Sequence, residues 1–280
     1  MKIREIYNNK KPVVSFEIFP PKKTSGIEPL YQSIGELAGL NPDFISVTYS
    51  AGGSGNSDAT VKIASHIKNT YGIETLVHLT CINSGRDKIA GLLTCLRENG
   101  LENILALRGD LVGETDAQER EYSYAKDLIS HIKTLPGNFC LAAAAYPEGH
   151  IECDDFDLSL SHLRQKADCG ADFFITQLFF DNELFYRFFE RAKAVNINVP
   201  ISAGIMPVLS KSQIDRMIYM CGASLPAKIV RMLNRYKDPQ SLKKAGIEYA
   251  AEQIRDLIDN GVDGVHVYTM NQPEIARACV

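Results

Sequence analysis

The sequence predicts one α/β domain, a single (β/α)8 TIM barrel spanning residues 1–280, and three observations carry that expectation. Short runs rich in β-branched and aromatic residues begin near Val13, Phe44, Glu74, Asn103, Phe139, Asp172, Val199 and Gly264, each followed by a segment of helical period. The first seven starts lie 27 to 36 residues apart, and 65 residues separate the last two. The chain is 280 residues long, enough for eight strand–helix units in a fold that commonly takes about 250.

Taken in order, Val13 to Phe19 reads as the first strand, stopped by Pro20-Pro21. Ile89, Leu92, Leu93 and Leu96 fall on one face of a helix over Arg86 to Asn99. Gly72, Gly100, Gly170 and Gly261 suit the left-handed position just past a helix end. Phe173-Phe174-Ile175 is continuously apolar, as expected of a parallel strand covered on both sides. The aromatic cluster Phe179, Phe180, Phe185, Tyr186, Phe188 and Phe189 reads as core and helix packing, since a nucleic-acid stacking platform needs interleaved basic residues. Ala223 to Asn260 holds extra helical turns before the eighth strand. An open, doubly wound sheet is the competing architecture, but no strand ends in a dinucleotide fingerprint and no composition shift marks a domain boundary.

Composition narrows the function. Thirty basic against 34 acidic side chains give a net charge of −4, so no global basic field serves nucleic acid. The N-terminus lacks a signal-peptide hydrophobic region, and nothing approaches the roughly 18 apolar residues of a membrane span. Seven cysteines, odd in number and without a C-x-x-C pair, argue for a reduced, cytoplasmic protein whose thiols act as small buried hydrophobes.

Barrel enzymes place their chemistry at the strand C-terminal ends. Those ends supply Glu17, Thr48, His78, Arg108-Gly109-Asp110, Tyr146, Gln177, a Gly204-Ile205-Met206-Pro207 turn, and Tyr268-Thr269. Glu17 has two readings: a buried ion pair with Arg108 or a lysine, or a general acid whose pKa is raised by desolvation. Gly109 allows a flat ligand close to the backbone while Arg108 and Asp110 grip its polar edges. The loop Thr48-Tyr49-Ser50-Ala51-Gly52-Gly53-Ser54-Gly55 fits neither the dinucleotide nor the Walker pattern and reads as a tight, mobile loop over the site. His78 and His150 lack any recognised zinc spacing, so no metal site is expected. His66, His131, His162 and His266 read as surface or satisfied core.

Seven segments together resemble the methylenetetrahydrofolate reductase family. They are Val14 to Lys22, Ser46 to Ser54, His78 to Cys81, Ala106 to Asp110, Ala145 to His150, Ile175 to Asp181 and Val267 to Asn271, in the family's order. The resemblance implies an FAD-containing barrel that reduces 5,10-methylenetetrahydrofolate to 5-methyltetrahydrofolate, a flavoprotein step of one-carbon metabolism. NADH or NADPH would reduce the flavin and leave before folate takes the same face, in a ping-pong cycle. By motif match Glu17 is the acid that opens the imidazolidine ring, and Asp110 sits between flavin and pterin. Gln177 and Tyr268 join Glu17 and Asp110 in binding folate. Thr48, Tyr49, Ala51, His78, Arg108, Gly109, Asp110, Tyr124, Ala125, Tyr146, His150 and Lys166 match positions that hold FAD.

Some positions depart from the family. Ser50 stands for a usual glycine, Ala203 for a usual proline, and Gln272 for an arginine of some members. The family's Asp-x-x-Asn-like FAD contacts fall on Ser159 and His162, so those contacts are not carried over. The resemblance is to the short bacterial form, without the regulatory C-terminal domain of eukaryotic members, and implies a homo-oligomer. Two alternatives stay open: the same flavin and folate chemistry fed by an electron-transfer partner protein, or an unrelated barrel enzyme such as a phosphosugar aldolase or isomerase with a phosphate nest at the Gly204 turn.

Overall fold

A computed structural model describes residues 1–21, 27–49, 57–110 and 120–280. Strands β1 (Val13–Ile18), β2 (Phe44–Val47), β3 (Glu74–Thr80), β4 (Asn103–Leu107), β5 (Cys140–Ala145), β6 (Phe173–Thr176), β7 (Ile201–Ile205) and β8 (Gly264–Tyr268) close in sequence order into one barrel. Every neighbouring pair is parallel, β8 returning to β1. Around it run α1 (Ile3–Asn9), α2 (Ile27–Ala38), α3 (Ser57–Tyr71), α4 (Arg86–Glu98), α5 (Ala125–Thr134), α6 (Phe156–Asp168), α7 (Asn182–Ala194), α8 (Lys211–Cys221), α9 (Ala227–Arg235), α10 (Pro239–Asp259) and α11 (Pro273–Cys279).

The strands begin where the apolar runs begin, except that β5 and β6 start one residue later than expected and β7 two, the last for a local cause. β7 starts at Ile201, two residues past Val199, because Pro200 has no N–H to give the ladder. Its carbonyl still accepts from Phe174 N at 2.8 Å. The helix ends also fall where glycine permits a left-handed turn: φ is +68° at Gly72 and Gly100, +106° at Gly170 and +74° at Gly261. α9 accounts for the long last interval. With α8 and α10 it encloses a separate apolar cluster around Phe180, Val208, Ile214, Ile229 and Leu242, beside the strand C-terminal ends.

Side chains alternate along each strand, so one set meets the helices and the other fills the barrel. Outward residues such as Phe16, Ile45, Val77 and Phe174 join the main core with the helices. Inward residues Val13, Phe44, Leu76, Leu105 and Phe173 fill the lower interior. α1 closes that end: Ile3 is fully buried, and the Tyr7 ring sits 5.0 Å from that of Phe173. The Tyr7 hydroxyl lies 2.6 Å from Ser202 Oγ. Asp43, Asp172 and Asp263 accept the N–H groups of Val14, Leu141 and Ile201, and pair with Lys10, Arg4 and Lys11. The bottom of the barrel is filled, and polar inward residues begin above it.

Two expectations need correction. Gly204 lies inside β7, not in a turn, and its N–H donates to Thr176 Oγ1 at 2.8 Å, so it forms no phosphate nest. Only Cys81, Cys140 and Cys279 of the seven cysteines are buried; the others are partly exposed because they sit on helix flanks and loop rims. Among the described residues no helix is long and apolar enough to cross a membrane.

Candidate active site at the strand C-terminal ends

Two adjoining cavities open where the strands end. The inner one measures about 480 Å³ and the outer about 530 Å³, and they share Leu107, Arg108, Ala144, Tyr146 and His150 as walls. Each is of the size that holds a cofactor or drug-sized ligand. Glu17, Thr48, Tyr49, His78, Gly109, Asp110, Gln177 and Tyr268 line the inner cavity, and Tyr124, Ala125 and Lys166 the outer one. Every nominated residue that the structure describes therefore borders one cavity or both. Ser50, Ala51 and the glycine-rich stretch that follows them lie outside the described residues, as do Lys22 and Lys23.

Register explains how distant segments meet. Glu17 is level with Ser46 on β2 and Tyr268 on β8, and Ser15 is level with His266. Glu17 Oε2 lies 3.4 Å from His78 Nε2, 3.5 Å from His266 Nε2 and 3.5 Å from Ser46 Oγ. Its ionisable partners among the described residues are thus two histidines, and no ion pair with Arg108 or a lysine forms among them. Arg108 points the other way, because Glu152 holds it. Burial pushes the Glu17 carboxyl upward, but the hydrogen bond with His266 and attraction to the two imidazoles outweigh it and leave it below the ordinary value. The expected upward shift is absent because the barrel interior beneath Glu17 is polar. Burial dominates at His78, which is pushed down to about 4 although the Glu17 charge opposes it. His78 Nε2 is buried and has no partner in hydrogen-bond geometry.

Across the inner cavity, the Tyr268 hydroxyl donates to the Thr176 carbonyl at 2.8 Å. That crossing needs Gly204, because a Cβ there would strike the Thr176 carbonyl and the Tyr268 ring. Burial, then the Glu17 charge, raises the Tyr268 phenol well above its usual value. Gln177 Oε1 accepts from Leu178 N at 2.9 Å, which fixes the amide at the cavity wall. Gly109 has φ +87°, and a Cβ there would stand 3.0 Å from Thr80 Cβ; the backbone turn, more than ligand approach, requires glycine. The turn carries Asp110 to the exposed rim.

The outer cavity carries Arg108, Lys126 and Lys166 alongside Glu152, Asp154 and Asp155. Arg108 binds Glu152 through both terminal nitrogens of the guanidinium, Nη1 at 2.5 Å and Nη2 at 2.8 Å. Lys166 Nζ donates to the Ala144 carbonyl at 2.8 Å and lies 5.2 Å from the Tyr146 ring centre. Burial lowers its pKa to about 8. Ser159 and His162 line the same cavity, and the His162 ring is stacked with that of Tyr124 at 6.3 Å. Asp155 is engaged as the α6 cap, accepting from Asp157 N and Leu158 N. Among the described residues no group of three or more His, Cys, Asp or Glu could hold a metal ion.

The sequence reading missed four site residues. His266 sits between Val265 and Val267 in an apolar strand, and only strand register reveals its partners. Met217 and Cys221 reach the inner cavity from α8, which a search of strand tips does not cover. Glu152 belongs to no recognised motif in the sequence. Its signal was proximity to His150 in a loop following a strand.

The methylenetetrahydrofolate reductase family profile matches residues 2–280. The 5,10-methylenetetrahydrofolate reductase of Pectobacterium carotovorum subsp. carotovorum is 38% identical over 266 residues, covering 95% of this chain and 88% of that protein. The enzyme of that name from Escherichia coli strain K12 is 37% identical with the same coverage. Methylenetetrahydrofolate reductase (NADH) 1 of Arabidopsis thaliana is 36% identical over 96% of this chain but only 48% of its own length. The chain thus spans about half the length of the plant relatives it matches. Among solved structures, an uncharacterized protein from Clostridium thermocellum that binds two copies of 5-methyl-5,6,7,8-tetrahydrofolic acid superimposes with a TM-score of 0.71, over 99% of this chain and 95% of that one. At 17% identity, that likeness is one of fold. Family profile and full-span relatives agree, and the chain belongs to the methylenetetrahydrofolate reductase family.

Proposed function

We propose that this protein catalyses FAD-dependent reduction of 5,10-methylenetetrahydrofolate to 5-methyltetrahydrofolate, with NADH or NADPH as electron donor. The observation that carries this reading is Glu17, a carboxyl lining the cavity at the strand ends of a chain that belongs to the methylenetetrahydrofolate reductase family. The neighbour from Clostridium thermocellum, which binds a methylated folate in the same fold, supports the substrate class.

The residues present fit FAD. The inner cavity offers a buried His78 Nε2 that makes no hydrogen bond, and the hydrogen-bonding walls of Thr48 and Gln177, for a flat ring system. The outer one offers Arg108 and Lys166 for an anionic middle section, and the aromatic pair Tyr124 and His162 for a base. Bound FAD would supply the redox chemistry, accepting hydride from the nicotinamide and returning it to the folate methylene carbon.

The chain's own task is orientation and one proton. Glu17 gives its proton to the imidazolidine nitrogen of the substrate, which opens that ring and leaves an electrophilic iminium. The carboxyl must hold that proton when substrate is bound. Its side chain is 18% exposed, and a flat ligand covering it would remove the remaining water and raise its proton affinity. Asp110 and Gln177 orient the pterin edge from the rim and the wall, and Tyr268 shapes the floor.

Colour tests the proposal. Purified protein, loaded with FAD if necessary, is expected to be yellow, to bleach with NADH or NADPH, and to recover its colour with methylenetetrahydrofolate. Failure to take up FAD would overturn the reading. Bleaching by dithionite but by neither nicotinamide would assign the electrons to a partner protein.

A further inference from the structure

His266 is fully buried in the barrel, 3.5 Å from Glu17, and the proton delivery proposed above does not use it. Its ring is fixed on both sides. Ser15 Oγ lies 2.7 Å from Nδ1 and donates to the Val265 carbonyl oxygen at 3.3 Å. A hydroxyl has one proton, so with that proton on Val265 its oxygen is an acceptor toward Nδ1. Nδ1 then carries hydrogen, and Nε2 is the nitrogen free to gain or lose a proton. Nε2 points at Glu17 Oε2 and, at 3.3 Å, at Ser46 Oγ. Below the ring lies Phe44, stacked at 6.2 Å, which bars solvent from that side.

The remaining groups around Glu17 do not take this role. His78, from β3, reaches the same carboxylate oxygen but lacks a hydrogen-bonded partner, and burial holds it neutral. Tyr268 gives its hydroxyl proton to the Thr176 carbonyl. Thr269 Oγ1 donates to the main-chain oxygen of Glu17, not to its carboxyl. Among the described residues, His266 alone pairs an anchored Nδ1–H with an Nε2 that faces the acid.

We propose that His266 and Glu17 hold one proton between them, with Ser15 fixing the tautomer that aims Nε2 at the carboxyl. Before substrate binds, the proton is on Nε2 and the pair is imidazolium and carboxylate. When a ligand covers the cavity, the Nε2–H bond breaks and an O–H bond forms at Oε2, giving neutral imidazole and carboxylic acid. No electrons change hands. Neutralising both partners is favoured once water is excluded, since an apolar site penalises the charged pair. Glu17 then passes the proton to the substrate nitrogen, and the pair takes its replacement from solvent through the open cavity. Ser15 and His266 are positioning residues, and Glu17 is the group that touches substrate. This rests on the reading of Glu17 as the acid.

Histidine ¹⁵N spectra of the purified protein, with the His266 signals assigned by their loss in His266→Asn, test the pair without folate or nicotinamide. The expected result is an Nδ1–H signal at every pH and a protonation step at Nε2 that moves to lower pH in Glu17→Gln. Ser15→Ala is expected to populate the Nε2–H tautomer, and Ser15→Thr, which keeps the hydroxyl, to restore the parent spectrum. In turnover, Ser15→Ala is expected to lower kcat for folate reduction on the order of ten-fold with little change in KM, and to displace its pH profile. A bare Nδ1 in the parent protein, or an Nε2 step indifferent to Glu17→Gln, overturns the proposal whether or not Ser15→Ala folds. Intact folate reduction by Glu17→Gln would instead remove the role given to Glu17, which the spectra read independently.

Discussion

Arg108 and Glu152 are locked together, guanidinium to carboxylate at 2.5 and 2.8 Å, on the wall between the two cavities. Arg108 Nε also donates to the Gly109 carbonyl at 3.3 Å, so all three guanidinium nitrogens are engaged. The pair holds the Glu152 carboxyl below its ordinary value. An anionic cofactor reaching Arg108 must share it with Glu152 or displace it. Glu152→Gln is therefore expected to strengthen FAD binding by roughly two- to five-fold, the size of an ion pair worth about 0.5–1 kcal/mol at a half-exposed site. Quenching of flavin fluorescence on titration into the apoprotein reads the change. Weaker binding in the variant would make Glu152 a support of the site, not a competitor.

Glu17→Gln keeps the shape of the side chain and removes the transferable proton. It is expected to leave flavin reduction by NADH or NADPH near the parent rate and to slow the folate half-reaction by about 100-fold or more, the usual contribution of a general acid. Stopped-flow absorbance of the flavin separates the two steps. Equal loss in both would mean that Glu17 maintains the site instead of serving as its acid.

The reach of the sequence follows the range of the interactions. Strand positions were legible because parallel strands buried on both faces are apolar throughout, and helix ends because Gly72 or Gly261 must adopt positive φ. The strand-tip rule located Glu17, His78, Gln177 and Tyr268 without any contact information. What fixes the protonation of Glu17 was hidden. Ser15 and His266 are 251 positions apart, and a lone histidine in an apolar strand carries no local mark of its partners. Desolvation alone implies a raised carboxyl at Glu17; the neighbouring imidazoles reverse the sign.

His78 makes stability depend on pH in a defined window. Its folded pKa of about 4 lies below the ordinary 6.5, so the unfolded chain takes the proton first. Its contribution is complete above pH 6.5 and is lost as the pH falls toward 4, about 3 kcal/mol over that span. His78→Asn removes the titrating group. Denaturant unfolding is expected to show a flatter pH dependence in the variant across this window, even if its stability at neutral pH is lower. Parallel curves for the two proteins would mean that His78 takes up its proton equally in both states.

Gly204 tests how tightly the floor of the inner cavity is built. It lies in β7 with its N–H on Thr176 Oγ1, and the Tyr268 ring passes over it to reach the Thr176 carbonyl. A methyl group at this position meets the Thr176 carbonyl, which is backbone and cannot turn aside, and the ring of Tyr268. Gly204→Ala must therefore push β6 and β7 apart or expel the tyrosine, and overpacking of this kind costs about 1–3 kcal/mol. If the tyrosine is expelled, its hydroxyl loses the Thr176 carbonyl and the cavity beside Glu17 changes shape. Tyr268→Phe separates the two effects, because it removes the hydrogen bond and keeps the ring. The alanine variant is expected to unfold at lower denaturant and to bind folate more weakly than the phenylalanine variant. Parent-like stability and folate affinity in Gly204→Ala would show that the strands yield without strain and that the close crossing of Tyr268 does not set the floor.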